Sequence, residues 1–422
     1  QELPAIDYEL PEHIREKIST PALVVHQDKV RKNIKQMLSY VGDSVARWRP
    51  HLKTTKMPEV WSELLRAGIW RFKVSTTREL AVLCDLAWDQ GASEIDVILA
   101  YPVTGPSLVR TRMIAERHPG ARVSVLVESV AMALDVPSNL DAFLDVNVGM
   151  DRTGMPLEDA RRCAAEVADA INGGGDRERF RGLHCYEGHV KEADLRERER
   201  ILHGIYGEVM DLVKSLERGG RRVRELVTSG TPAFRHALSY RPFVEELAAG
   251  VHQISPGTVV FHDLTVEASN GDVDLVPAAV LMSRVVSCPA KGRVTLDAGS
   301  KSIAAEAGDP AAFCVGRPDW RPLKCSEEHM PVLLPEGAQP PARGTMVALV
   351  PRHICPTVNL AEEALFVEDG ESSVKAFRVV PVLARGREML LSKESMYHPH
   401  PCGFGEEGVG SKLQLGKKQR IS

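Results

Sequence analysis

Two lysines, a histidine and two threonines crowd into Trp48-Arg-Pro-His51-Leu-Lys53-Thr-Thr-Lys56. A lysine at a strand end, facing other polar groups, can be held neutral and can then form a Schiff base with a carbonyl cofactor. The competing reading is a solvated surface pair just before a helix. A second chemistry lies in Pro351-Arg-His353-Ile-Cys355-Pro. If that segment is a strand, positions i and i+2 point the same way, so one imidazole and one sulfur can meet a single metal ion. Thiolate softness then favours zinc, with manganese, magnesium and cobalt left open. Thr228-Ser229-Gly230-Thr231 follows an apolar strand pattern and opens a helix; small-residue N–H groups, hydroxyls and a helix start make an anion cradle. Ser255-Pro-Gly257-Thr258 repeats that logic one unit later. In Gly182-Leu-His184-Cys-Tyr186-Glu-Gly-His189, alternation puts His184 and Tyr186 on one side. Any single histidine there reads by default as structural.

These residues need a scaffold, and the pattern predicts one. Short apolar runs alternate with amphipathic stretches of about ten residues. Strands are predicted at Thr20–His26, around Ser44–Trp48, and at Phe72–Ser75, Ile95–Ala100, Ser124–Val127, Ala142–Asn147, Arg181–Tyr186, Glu225–Thr228 and Gln253–Ser255. Helices fall between them, the first with Asp28 at its N-cap. That rhythm predicts an α/β fold: an N-terminal (β/α)8 TIM-like barrel over 20–270. From Asp274 the texture becomes strand-rich without long helical periods, which predicts an all-β C-terminal domain over 271–407. Phe313–Arg343, rich in proline and glycine, reads as an extended excursion. A leader over 1–19 is expected to pack with the β domain, and 408–422 to be a peripheral tail.

Composition narrows the partners. The 422 residues carry Lys+Arg 53 against Asp+Glu 57, a formal net charge of -4, so no nucleic acid or anionic membrane is expected to bind. No apolar run is long enough to span a bilayer. The first residues lack the pattern of a secretion signal. The 8 cysteines show no disulfide-framework spacing and suit a reducing, cytoplasmic setting.

Arg49-Pro-His-Leu-Lys-Thr-Thr-Lys56 resembles the R-P-H-x-K-T-x-K signature of the D-threonine aldolase and eukaryotic-type D-serine dehydratase family, pyridoxal-phosphate enzymes on the alanine-racemase barrel. Thr55 stands where that family usually has histidine. The resemblance implies that Lys53 carries pyridoxal phosphate, with His51 in its surroundings. Asn147-Val-Gly-Met-Asp-Arg152-Thr-Gly154 is similar to the family's D-x-G-M-x-R-x-G, which implies Arg152 beside the cofactor's phenolic oxygen. By the same resemblance Tyr186 lines the pocket, and His189 lies near the substrate hydroxyl as an acid or base. Ser229, Gly230, Thr231, Gly257 and Thr258 would hold the phosphate, with Val259 where the family usually has tyrosine. His353 and Cys355 would hold a divalent metal. The family pair is H-x-D in the aldolases and H-x-C in the dehydratases, whereas the Pro-Thr-Val-Asn that follows is more like the aldolase version.

The implied activity is dehydration of a D-configured β-hydroxy amino acid, such as D-serine or D-3-hydroxyaspartate, to a 2-oxo acid and ammonia. Aldol cleavage to glycine and an aldehyde is the first alternative, and a racemase of the same fold the second. A non-enzymatic cofactor carrier would need only a single barrel. A homodimer is implied by the resemblance alone.

Overall fold

The computed structural model describes residues 8–387, apart from 93, 176, 272 and 370–374. Seven parallel strands run Arg71–Val74, Ile95–Pro102, Ala121–Val127, Asp141–Asn147, Phe180–Cys185, Glu225–Thr228 and His252–Ile254, each hydrogen-bonded to the next. The segment 48–52 fills the eighth place. It bridges Trp48 to Ile254 on one side and His51 to Lys73 on the other. Arg49 N–H donates to Ile254 O at 2.9 Å and Leu52 N–H to Lys73 O at 2.8 Å. The ring closes as an eight-membered parallel barrel with helices outside, as the rhythm predicted. The strand expected around Ser44–Trp48 is instead a 3-10 turn at Val45–Arg47 followed by this short bridge. Arg49-Pro50 explains the brevity, because proline has no N–H to extend a ladder.

The barrel floor is charged and buried. Arg49, fully buried, donates to Asp96 at 2.7 Å, Glu225 at 2.6 Å and Gln253 at 2.8 Å. Arg181 adds to the same carboxylates. Above this floor Ile98, Leu126, Phe143 and Val227 form an apolar layer. The polar groups of the site stand above that layer, at the C-terminal ends of the strands.

The second sheet is mostly antiparallel, as expected for an all-β domain. The strand predicted at Thr20–His26 lies here, as Ala22–His26, antiparallel to Ala279–Ala290 and parallel to Glu363–Asp369. Tyr8 and Leu10 are buried against this sheet with Val24, Val280 and Met282. The 313–343 stretch is more than an excursion: Ala312–Cys314, Arg321–Pro322 and Met330–Leu333 are strands. Its Trp320, Met330, Val332 and Leu334 enter the domain's core. The first long helix begins at Gln27 with His26 at its N-cap, two positions earlier than Asp28 would place it. The tail predicted over 408–422 lies outside the described residues. Among the described residues, no helix is long and apolar enough to cross a membrane.

Candidate functional site

The Lys53 turn is held from three sides. Lys56 takes a left-handed backbone (φ 52) and sends its ammonium to the buried Glu79 carboxylate at 2.6 Å. Glu79 also accepts from Ser75 N–H at 2.6 Å. Thr55, buried, accepts from the Trp61 indole at 2.8 Å. These anchors leave Lys53 itself exposed at the barrel mouth. His51 sits below it, with burial first and then the charges of Lys53 and Lys73 holding its imidazole well below the usual range.

The histidine–cysteine pair reaches the same mouth, though on a different element from the predicted strand. His353 is the N-cap of a helix Ile354–Leu360, and Cys355 lies in its first turn. Pro356 is tolerated there because the first helical N–H groups have no intrahelical acceptor. Asp263 ties this helix to the barrel, accepting from Ile354 N–H and Val266 N–H, each at 2.9 Å. The Cys355 sulfur lies 3.2 Å from Thr54 Oγ1 and 3.3 Å from Thr258 Oγ1. Burial alone would push the thiol up, but the hydrogen bond and charge of His353 outweigh it and hold the thiol below its usual value. His353 is correspondingly raised, first by that hydrogen bond.

The turns expected to hold a phosphate are closely packed at their glycines. Ser229 has φ 56 and is buried, with its hydroxyl lacking a partner. A Cβ at Gly230 would come 2.7 Å from the Tyr186 ring, so only glycine lets that ring lie against the turn. At Gly257 a Cβ would run into the His51 carbonyl. Thr231 is buried beside this turn. An orphaned buried hydroxyl and two glycine-lined approaches fit the phosphate of pyridoxal phosphate. Arg152 lies over the Tyr186 ring, 4.8 Å from its centroid, with its guanidinium exposed toward the mouth. His189 is exposed, and its ring packs over the Gly149 turn that leads to Arg152. His353 and Cys355 offer a metal two donors of borderline softness, which leaves the other positions to water and substrate. Among the described residues, no cluster of three or more His, Cys, Asp or Glu is gathered for a metal.

Three comparisons bear on this arrangement. The family profile described as alanine racemase, N-terminal domain, matches residues 25–252, and a serine dehydratase domain matches 278–367. The chain belongs to the alanine racemase N-terminal-domain family. D-threonine aldolase of an Arthrobacter species is 27% identical over 84% of this chain and 90% of its own. The crystal structure of a D-threonine aldolase from Filomicrobium marinum superposes with TM-score 0.73 at 24% identity, covering 87% of this chain and 96% of that one. D-threo-3-hydroxyaspartate dehydratase from Delftia sp. gives TM-score 0.70 at 19% identity, covering 86% and 97%. Variants of that dehydratase altered at a histidine and at a cysteine two positions on are also solved, the cysteine variant in a metal-free form. Members of this alanine-racemase-like group are pyridoxal-phosphate enzymes, and the aldolases and the dehydratase named here are lyases.

Sequence reasoning missed three residues at the mouth. Glu187, fully buried and raised by burial, accepts from the Tyr206 hydroxyl at 2.6 Å and from Ser229 N–H at 3.3 Å, bracing the cradle turn. Lys73 and Asp145 flank His184. A charged residue at an inward position of an otherwise apolar strand is the signal that could have found both.

Proposed function

We propose that this protein is a pyridoxal-phosphate- and metal-dependent lyase that dehydrates a D-configured β-hydroxy amino acid to a 2-oxo acid and ammonia. The observation that carries this reading is the His353–Cys355 pair at the barrel mouth, its sulfur against Thr54 and Thr258 on the Lys53 turn and the second cradle. The Delftia dehydratase, with its own histidine and cysteine two apart, supports that choice.

Lys53 would carry the cofactor, with Ser229, Gly230, Thr231, Gly257 and Thr258 around its phosphate and Arg152 presenting donors to its ring oxygen. Arginine suits that place because it keeps its charge and a fixed donor fork. Tyr186, packed against Gly230, sets the plane on which the ring rests. When bound, the cofactor withdraws electrons from the substrate's α-carbon, and the metal on His353 and Cys355 polarises the β-hydroxyl. Lys53, once its amine is free, removes the α-proton. His189 is the group placed to hand a proton to the departing hydroxyl. The released enamine hydrolyses in water to the 2-oxo acid and ammonia.

Aldol cleavage to glycine and an aldehyde is the second reading, favoured by the 27% identity to the Arthrobacter D-threonine aldolase. There His189 would take the hydroxyl proton and Lys53 would have no α-proton to remove. A racemase would not need the His353–Cys355 pair. Borohydride reduction of the holoenzyme followed by peptide mapping tests the cofactor assignment: a tag on Lys53 is expected, and a tag elsewhere overturns it. Chelation should abolish activity, and added zinc should restore it. The chain is proposed to act as a homodimer; sedimentation at the monomer mass of 46.4 kDa would refute this.

A further inference from the structure

Lys73 has no part in the reaction above, yet its surroundings are those of a working amine. It is 5% exposed, on the strand Arg71–Val74, in register with His51 on the neighbouring segment. Its Nζ lies 2.9 Å from His184 Nε2, and His184 Nδ1 lies 2.6 Å from Asp145 Oδ1. The other Asp145 oxygen accepts from the Thr153 hydroxyl at 2.9 Å. Burial would raise the Asp145 carboxyl, but its surroundings, among them the hydrogen bonds from His184 and Thr153, outweigh that and hold it below its usual range. Burial and the neighbouring Lys73 keep His184 neutral. Asp145 therefore holds the Nδ1 proton, and Nε2 is left as an acceptor. A lone pair facing Lys73 can take an N–H from either an amine or an ammonium. Lys73 can change charge there without rearrangement.

The groups around it set where that change falls. From the 48–52 side come His51 and the charge of Lys53; from the strand Phe180–Cys185 and the turn after it, His184, Cys185 and Glu187; from Asp141–Asn147, Asp145. Arg152 acts on His184 from above. On the strand Ile95–Pro102, Ile98 is apolar, and Asp96 is engaged below by Arg49 and Arg181. Burial first, and then Lys53, push the Lys73 amine down to about 7. Lys53 is the neighbouring cation acting on it, and it lies two residues beyond His51, the register partner of Lys73, on the segment whose Leu52 N–H donates to Lys73 O at 2.8 Å.

Resting on the assignment of α-proton removal to Lys53, we infer that Lys73, held by His184 and Asp145, is a positioning residue that accepts the proton Lys53 must shed. One proton passes from the Lys53 ammonium to the neutral Lys73 amine. Lys53 regains its lone pair, and Lys73 becomes an ammonium donating to His184 Nε2. No other bond is made or broken. This line serves a reaction that begins with α-proton removal, and it is idle in that step for aldol cleavage.

The test uses the holoenzyme and three variants. Lys73→Met removes both charge and acceptor; Lys73→Arg keeps a charge that cannot be lost; Asp145→Asn loosens His184 while keeping the shape, should Lys73→Met fail to fold. Borohydride mapping comes first: a tag on Lys53 keeps the functional reading, whereas a tag on Lys73 makes it the carrier and overturns the inference. Next, the bound cofactor's absorbance is titrated with pH. The midpoint is expected to move in Lys73→Met by about one pH unit, a tenfold change in the equilibrium. The kcat near pH 7 should fall about a hundredfold in both lysine variants, with KM changed less than about threefold. An unmoved absorbance midpoint in Lys73→Met, or rescue of kcat by Lys73→Arg, overturns the inference while leaving the tag on Lys53 intact.

Discussion

Glu79→Gln should destabilise the protein far beyond a typical surface change. The Lys56 side chain is 8% exposed and that of Glu79 is 0%, with Nζ and Oε1 2.6 Å apart. At an effective dielectric of about 20, two unit charges at that separation attract by roughly 6 kcal/mol, most of which offsets the cost of their desolvation. Removing one charge leaves the other buried without a partner, a loss of about 3–5 kcal/mol. Glu79 also accepts from Ser75 N–H and Ser75 Oγ, and the glutamine NH2 would face one of those donors. Lys56→Met should cost a similar amount. The double variant Lys56→Met/Glu79→Gln should recover at least about 2 kcal/mol of the summed losses, because no lone buried charge remains. Equilibrium urea unfolding of the four proteins measures this directly. Lys56 lies three residues beyond Lys53, so both single variants should also bind the cofactor more weakly. Single losses below about 1 kcal/mol, or fully additive ones, would refute the claim that this pair fixes the Lys53 turn.

Other outcomes follow from the same geometry. Gly230→Ala should displace the Tyr186 ring and weaken cofactor binding at least about tenfold, read by equilibrium dialysis, while far-ultraviolet circular dichroism stays unchanged. Cys355→Ser should lower zinc content measured by mass spectrometry, and Cys355→Asp should shift preference toward manganese or magnesium. His252 is buried, hydrogen-bonded to Thr228 at 2.9 Å and stacked on Phe243, and burial holds it down to about 3. Its unfolded form gains a proton below about pH 6.5 and its folded form does not, so stability falls with decreasing pH across that window, by up to about 1.4 kcal/mol per pH unit. His252→Asn should flatten the stability profile between about pH 6 and 4 relative to the parent; an identical slope would contradict this.

What the sequence shows well is what local period encodes. The barrel strands Ile95–Pro102 and Asp141–Asn147 are mostly apolar and buried along nearly their whole length, and such runs between amphipathic helices mean parallel strands buried on both faces. Partnership is harder to see. Ala22–His26 has the same apolar texture as a barrel strand, but its neighbours, Ala279–Met282 and Ala364–Val367, lie far along the chain in the second sheet. The His353–Cys355 spacing suits a strand, and the helix there is decided by Asp263, ninety residues earlier, accepting from Ile354 N–H. The motif residues from the Lys53 turn to Cys355 do converge at the mouth. Lys73 and Asp145 each stand out as a charge in a mostly apolar strand, but their link through His184 could not be read from the sequence, because only the barrel brings the three strands together.

The most direct measurement is product analysis. Holoenzyme loaded with zinc is incubated separately with D-serine, D-threonine and D-3-hydroxyaspartate, and ammonia, 2-oxo acid, glycine and aldehyde are assayed in each. The account predicts ammonia and a 2-oxo acid in equal amounts from at least one of the three, with no glycine. Glycine with an equal amount of aldehyde, and no ammonia, would contradict it.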